Sequence, residues 1–313
     1  MAEVLSPLAN PAATRDVLEE HGLATKHALG QNFLINDAIL QKIVELAGLS
    51  EADDVLEVGP GIGTLSIALL KRAGRVVAVE RDRDLPAVLK DTLDPWADRF
   101  ALVSKDALDL TEDDVRTALS RCTSRGSQAA NELPRKFVAN LPYAVAATLV
   151  LDFFERFDWL ESATVMVQKE VAERMCARPG TKNYGAYTVK LRLYAQAVGQ
   201  FPVSPNNFFP PPHVDSAVIR LNRRPMLDGA GNALSDEMVR AACTMADAAF
   251  ASRRKTIANS FKMYFASRGN EGKAFVGSIG ALLDAAGIDA KRRGETLDMP
   301  EFIELARAYS ALA

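Results

Sequence analysis

The 313-residue sequence predicts an α/β fold, a doubly wound parallel sheet followed by a small all-helical C-terminal domain. Three observations carry this. Short apolar runs alternate with helical patterns between Asn36 and Gln168, the sequence form of successive β-α-β units. The runs are continuously apolar, as strands covered on both faces require. Beyond a stretch rich in Pro, Gly and Asn at 223–235, only helical periodicity remains.

Residues 1–25 read as a loose extension with one short helix at Arg15–His21. Asn36 can cap a helix to Ala47, in which Ile39, Leu40, Ile43, Val44 and Ala47 share a face and Gly48 is the stop. Strands are predicted at Val55–Val58, Val76–Glu80, Ala101–Val103, Phe137–Asn140 and Ala163–Gln168. Helices are predicted at Thr64–Ala73, at Leu85–Leu93 and after the fourth strand through Phe154. Arg121–Pro134 reads as an exposed loop and Arg223–Ser235 as a linker. Helices follow at Asp236–Phe250, Ser252–Ser267, Ala274–Ala286 and Pro300–Ala311. The expected organisation is an extension (1–25), an α/β domain (26–222), a linker (223–235) and a helical domain (236–313).

Composition excludes several classes. A hydrophobic content of 48% is enough for a packed core and argues against disorder. The longest apolar stretch, near Tyr143–Leu151, is too short to span a bilayer. Met1–Arg15 carries Glu3 early and has no signal-peptide core. Cys122, Cys176 and Cys243 stand far apart, and the histidines are His21, His27 and His213 alone, so neither a disulfide framework nor a metal site is expected. The expectation is a cytoplasmic monomer with no membrane segment and no metal. A net charge of −3 speaks weakly against a nucleic-acid partner. It conceals two compact basic groups, Arg253-Arg254-Lys255 and Lys291-Arg292-Arg293.

Glu57-Val58-Gly59-Pro60-Gly61-Ile62-Gly63 follows the first strand of the alternating series and opens a helix. Glycines there allow a sharp turn and a close backbone approach to a ligand. A dinucleotide fingerprint needs Gly-x-Gly-x-x-Gly, whereas Gly63 comes one residue early. The spacing at Gly59, Gly61 and Gly63 suits a methionine-and-ribose ligand, S-adenosyl-L-methionine, better than a pyrophosphate. Glu80, ending the second strand, can accept hydrogen bonds from ribose hydroxyls, and Asp106, after the third, can accept one from an adenine amine. Either acid alone reads as an ordinary solvated carboxylate. Acids and loop together, at the carboxyl ends of successive strands, mark a cofactor site.

The fourth strand ends in Asn140-Leu141-Pro142-Tyr143. An exocyclic adenine nitrogen is a poor nucleophile because its lone pair is delocalised into the ring. Acceptors aimed at its hydrogens, the Asn140 side-chain oxygen and the Leu141 carbonyl, localise that pair. Pro142 stiffens the turn, and Tyr143 offers a face on which an extruded base can stack. By itself the tetrapeptide reads first as a plain strand-to-helix turn. With the glycine loop it points to methyl transfer to an sp² amine.

These segments resemble the small-subunit ribosomal RNA adenine dimethyltransferase family over about Lys26 to Leu297. Leu29-Gly30-Gln31-Asn32-Phe33-Leu34, the glycine loop, Asn140–Tyr143, Gln168–Arg174, Tyr184-Gly185, Phe209–Val218 and Phe250–Ser260 carry the resemblance. It implies a Rossmann-like class I methyltransferase sheet. It also implies cofactor contacts from Asn32, Leu34, Gly59, Glu80, Asp106 and Asn140. The implied substrate is a pair of adjacent adenosines in a hairpin near the 3′ end of small-subunit rRNA in a pre-30S particle, each dimethylated. Ala28 stands where serine is usual, and the 121–134 loop and both termini are longer than usual. Phe209 is the candidate second face of an adenine sandwich, while Phe208 reads equally as core. Arg253, Arg254 and Lys255, at the start of a helix whose Ile257, Phe261 and Phe265 form an apolar stripe, are candidate phosphate contacts. A protein acting in ribosome assembly by binding, and an adenine methyltransferase of large-subunit rRNA or DNA, are the alternatives.

Overall fold

The computed structural model describes residues 3–24, 31–123, 133–228 and 231–312. Leu29 and Gly30 of the N-terminal signature, residues 124–132 of the Arg121–Pro134 loop and Gly229 of the linker lie outside the described residues. The chain divides into two units, Met1–Ala172 with Ala197–Arg223, and Glu173–Gln196 with Arg224–Ala313.

The first unit opens with α1 (Pro11–Glu20), β1 (Phe33–Leu34) and α2 (Asp37–Ala47). The α/β series follows as β2 (Asp54–Val58), α3 (Thr64–Leu70), β3 (Arg75–Glu80), α4 (Leu85–Thr92), β4 (Phe100–Ser104), α5 (Glu112–Leu119), β5 (Lys136–Asn140), α6 (Ala146–Arg156) and β6 (Ser162–Gln168). After α7 (Lys169–Cys176) and α8 (Ala186–Tyr194) come β7 (Ala195–Val203), β8 (Phe208–Phe209) and β9 (Ser216–Arg223). Seven strands form one sheet in the order β4-β3-β2-β5-β6-β9-β7. The four pairings from β4 to β6 are parallel and β6–β9 is antiparallel. The chain moves outward from β2 to β4 and then returns to β5 on the other side of β2. That reversal is the switch point at which open α/β sheets bind ligands.

Alternation along the strands explains why both faces are dry. Val55, Val76, Val138, Met166 and Val218 join the core formed with α2, α3 and α4. Their neighbours Leu56, Val77, Phe137 and Val165 are equally buried, and Phe137 meets Phe153 of α6 with ring centroids 5.1 Å apart. In α2, Asn36 Oδ1 accepts from the Ala38 N–H at 3.0 Å and Gly48 closes the helix in the left-handed region. The five predicted apolar residues of that helix are all buried. Arg75 and Asp54, paired on adjacent strands, form a buried ion pair with Nε–Oδ1 at 3.0 Å.

In this unit three expectations change. Residues 3–24 are no loose tail: Leu5, Leu8 and Leu18 are in the core, and Asp37 Oδ1 accepts from the Leu5 and Ser6 N–H groups at 2.9 Å each. The predicted helix at Arg15 begins earlier, at Pro11, where Asn10 caps it. Strands β7 and β9 extend the sheet beyond the five strands expected, and β9 runs antiparallel.

The second unit contains α8, α9 (Asp236–Phe250), α10 (Ile257–Ala266), α11 (Gly269–Phe275), α12 (Ile279–Ala285) and α13 (Met299–Leu312). The expected boundary at Asn222 therefore omits a piece, since Glu173–Gln196 belongs with the C-terminal helices. The cause is packing: Tyr184 and Val189 are fully buried among Met245, Phe261, Leu282 and Phe302, and the Tyr184 hydroxyl donates to the Leu297 carbonyl at 2.8 Å. The single helix expected at Ala274–Ala286 is instead α11, a 3-10 turn at Val276–Ser278, and α12. Within the expected linker the chain folds back on itself, with Leu227 bridged to Ala233. No helix among the described residues is long and apolar enough to cross a membrane.

Candidate active site

One cavity of the first unit opens along the carboxyl ends of β4, β3, β2 and β5, and Gln31–Leu34 also line it. At the β2 end, Gly59 has φ 69° and a side chain there would lie 3.9 Å from the Asn140 carbonyl oxygen and 3.8 Å from Pro142. The positive φ needs glycine, and the loop thereby comes up against the Asn-Leu-Pro-Tyr turn. A side chain on Gly61 would come 3.1 Å from the Phe33 ring. Gly63 does not line the cavity. With φ 89° it faces Thr92 and Leu93 of the neighbouring helix end, so its smallness serves packing of the loop.

The predicted acids converge. Glu80, almost fully buried, accepts the Asp82 N–H at 2.8 Å. Burial raises its carboxyl above the usual range, and N–H donors from Asp82, Arg81 and Gly61 oppose that. Asp106 Oδ2 pairs with Arg81 Nη1 at 3.1 Å, and its Oδ1 accepts the Leu108 N–H. Gln31 Nε2 donates to Asp82 Oδ2 at 2.8 Å, linking the N-terminal signature to the turn after β3.

Asn140 ends β5, and its side-chain nitrogen donates to the Asn32 carbonyl at 3.1 Å. That bond leaves Oδ1 as the acceptor on the other side of the amide. Leu141 is held in line with the sheet by its N–H on the Met166 carbonyl at 3.1 Å. The Tyr143 hydroxyl lies 2.5 Å from Ser216 Oγ, fixing the ring at the cavity wall. Burial raises the Tyr143 phenol above its ordinary range, with the Ser216 bond opposing.

Phe209 is not brought into this cavity. Its backbone pairs with Phe33, its ring packs on the core, and the Arg15 guanidinium lies 5.5 Å over it. Phe208 is core, 2% exposed. Arg253 also differs from a free phosphate contact. Its guanidinium donates to the Lys182 and Tyr184 carbonyls at 2.7 and 3.1 Å and faces Glu295 at 3.7 Å. Arg254 and Lys255 are exposed, in the turn before α10. The stripe Ile257, Phe261, Phe265 is buried as expected. In the second basic group, Arg292 pairs with Glu301.

Two cavity residues escaped the sequence reading. Glu57 is fully buried and accepts from Ser66 Oγ at 2.6 Å. Burial pushes its carboxyl up to about 8; the Ser66 bond opposes this and the nearby Glu80 adds to it. Thr64 is buried with its hydroxyl unpartnered. A signal existed, since both belong to the segment that includes the glycine loop.

A family model described as "Ribosomal RNA adenine dimethylase" matches residues 22–305. The chain is a member of the ribosomal RNA adenine dimethylase family. It is accordingly an rRNA adenine-dimethylating enzyme. The relatives agree. The chain is 39% identical over 305 residues to a Ribosomal RNA small subunit methyltransferase A of Geobacillus thermodenitrificans, covering 97% of this chain and 98% of the relative. It is 42% identical over 308 residues to that of Shouchella clausii, covering 97% of each. Among solved structures, a dimethyladenosine transferase from Plasmodium falciparum shares the fold at TM-score 0.68 and 23% identity, over 89% of this chain and 98% of that one. The 23S rRNA methyltransferase ErmE follows at TM-score 0.58 and 25% identity, over 89% of this chain and 100% of that one. The dimethylase family and the class I methyltransferase fold anticipated from the motifs are thus both found.

Proposed function

We propose that this dimethylase uses S-adenosyl-L-methionine to dimethylate the N6 amines of two adjacent adenosines in a hairpin near the 3′ end of small-subunit rRNA, within a pre-30S particle. It acts as a cytoplasmic monomer. The observation that carries the reaction is Asn140, whose amide is oriented by Asn32 in the wall of the glycine-loop cavity. The small-subunit assignment rests on the relatives just described.

The residues suit the cofactor. Its adenosine meets acids placed at successive strand ends, Asp106 for the amine and Glu80 for the ribose. The glycine loop gives the close backbone approach that a compact ligand needs. When bound, S-adenosyl-L-methionine supplies an electrophilic methyl group.

The chain's own residues then act by position. Asn140 Oδ1 and the Leu141 carbonyl accept the N6 hydrogens, two in the first transfer and the remaining one in the second, drawing the nitrogen toward sp³ geometry and concentrating its lone pair. The Tyr143 ring, anchored through Ser216, holds the base plane. The product ammonium is acidic enough to lose its proton to water, so no strong base is required. Preorganised acceptors and alignment supply the rate. In the second unit, Arg254 and Lys255 are the proposed phosphate contacts, and Arg253 holds the turn that presents them. Methylation assays on purified small-subunit and large-subunit particles test the substrate assignment. Sedimentation of the purified chain tests the monomer.

A further inference from the structure

The strand order lays the cavity out as a line: Asp106 beyond β4, Glu80 on β3, Glu57 and the glycine loop on β2, Asn140 on β5. With the cofactor's adenine at Asp106, its ribose at Glu80 and transfer at Asn140, a placement that rests on the function proposed above, the amino-acid end falls at β2 and the start of α3. What the protein offers there is specific. Thr64, the first residue of α3, lines the cavity, is 5% exposed, and its Oγ1 has no hydrogen-bond partner. Leaving a buried hydroxyl without a partner is destabilising, and such a group in a native site asks for a function. Ser66 shows the contrast: its buried hydroxyl is satisfied by Glu57 at 2.6 Å.

Charge narrows what Thr64 meets. The cations that line the cavity stand at the β3 and β4 ends and are paired, Arg81 with Asp106 at 3.1 Å and Lys105 with Asp114 at 2.7 Å. At the β2 end, Glu57 keeps its proton at neutral pH because burial, reinforced by Glu80, outweighs the Ser66 bond. A carboxylate entering this end meets no unpaired cation, and among the described residues that line the cavity Thr64 is the one with a buried, unpartnered side-chain hydroxyl.

We infer that Thr64 is a cofactor-binding residue whose hydroxyl donates to the α-carboxylate of S-adenosyl-L-methionine. The hydroxyl that is orphaned in the free protein is thereby satisfied on binding, and ligands lacking the carboxylate forgo the bond.

Calorimetry on the full chain tests this with S-adenosyl-L-methionine and its decarboxylated analogue, which keeps the sulfonium and the amine. Thr64→Val removes the hydroxyl and keeps the branching. It should weaken S-adenosyl-L-methionine about tenfold or more, the loss of a hydrogen bond to a charged group. Binding of the decarboxylated analogue should stay within about twofold, and Thr64→Ser should restore affinity for the full cofactor. The ligand-free melting temperature of Thr64→Val should be unchanged or higher. Equal weakening of both ligands, or of neither, overturns the assignment. Failure of the wild-type chain to bind S-adenosyl-L-methionine would overturn the cofactor reading itself, and this inference with it.

Discussion

The side-chain nitrogen of Asn140 donates to the carbonyl oxygen of Asn32 at 3.1 Å, joining two residues 108 positions apart in the chain. The end of β5 and the segment entering β1 are therefore one structural unit, and the Asn140 acceptor is aimed before substrate arrives. Asn140→Ala removes both the tether and the acceptor. The single-turnover methylation rate should fall about 10²-fold or more, while the melting temperature moves by only a few degrees. A rate within threefold of wild type would contradict the role of Asn140.

Tyr143 separates stacking from anchoring. Tyr143→Phe keeps the ring and loses the Ser216 bond, worth about 1 kcal/mol, so kcat/KM for RNA should fall a few-fold. Tyr143→Ala also loses the stacking face, worth about 1–3 kcal/mol, and should fall roughly 5- to 150-fold further. Steady-state kinetics of the two variants side by side check this; equal losses would remove the ring from the mechanism.

Glu57 makes stability depend on pH in a definite sense. Its carboxyl is raised from 4.5 to about 8 in the fold. Between those values the folded chain holds a proton that the unfolded chain has released, so stability is full at low pH and is lost as pH rises toward 8. Glu57→Gln keeps an acceptor for Ser66 and abolishes this titration. Wild-type melting temperature should fall relative to Glu57→Gln between pH 5 and pH 8, by an amount worth on the order of a few kcal/mol. A constant difference over that range would contradict it.

Much of this was legible in the sequence because the informative features are local. Continuous apolar runs found β2 to β6, and Asn36 with Gly48 bounded α2. Asp236–Phe250 came out residue for residue. The cavity motifs were legible for the same reason, since loop and acids sit at strand ends. What escaped depends on distant partners. β7 carries Gly199 and Pro202, which blur a strand pattern. Leu5 and Ser6 are fixed by Asp37, across the fold. Glu173–Gln196 joins the helical unit through Tyr184 and Val189, whose partners follow about sixty or more positions later. Phe209 has the right composition for a base-stacking face, but its pairing with Phe33 turns it to the core. Glu57 and Thr64 lie in or beside the glycine loop, but the raised carboxyl of one and the unpartnered hydroxyl of the other follow from burial.

The basic group before α10 divides by role. Arg253→Ala should lower the melting temperature, because the Lys182 and Tyr184 carbonyls lose a charged donor. Arg254→Ala and Lys255→Ala should leave melting within about a degree and each reduce the salt dependence of RNA binding by about one unit of slope. Fluorescence anisotropy across a salt series reads the slope. An unchanged slope in both variants would take this turn out of the RNA contact.

The proposed reaction is methyl transfer from S-adenosyl-L-methionine to small-subunit adenosines. Its most direct test is transfer of a labelled methyl group to unmethylated small-subunit particles, followed by digestion and identification of the labelled nucleoside. The expected product is N6,N6-dimethyladenosine at two adjacent positions near the 3′ end of the RNA, with labelling slower by about 10²-fold or more in Asn140→Ala. Label confined to large-subunit particles, or label on a nucleoside other than adenosine, would contradict it.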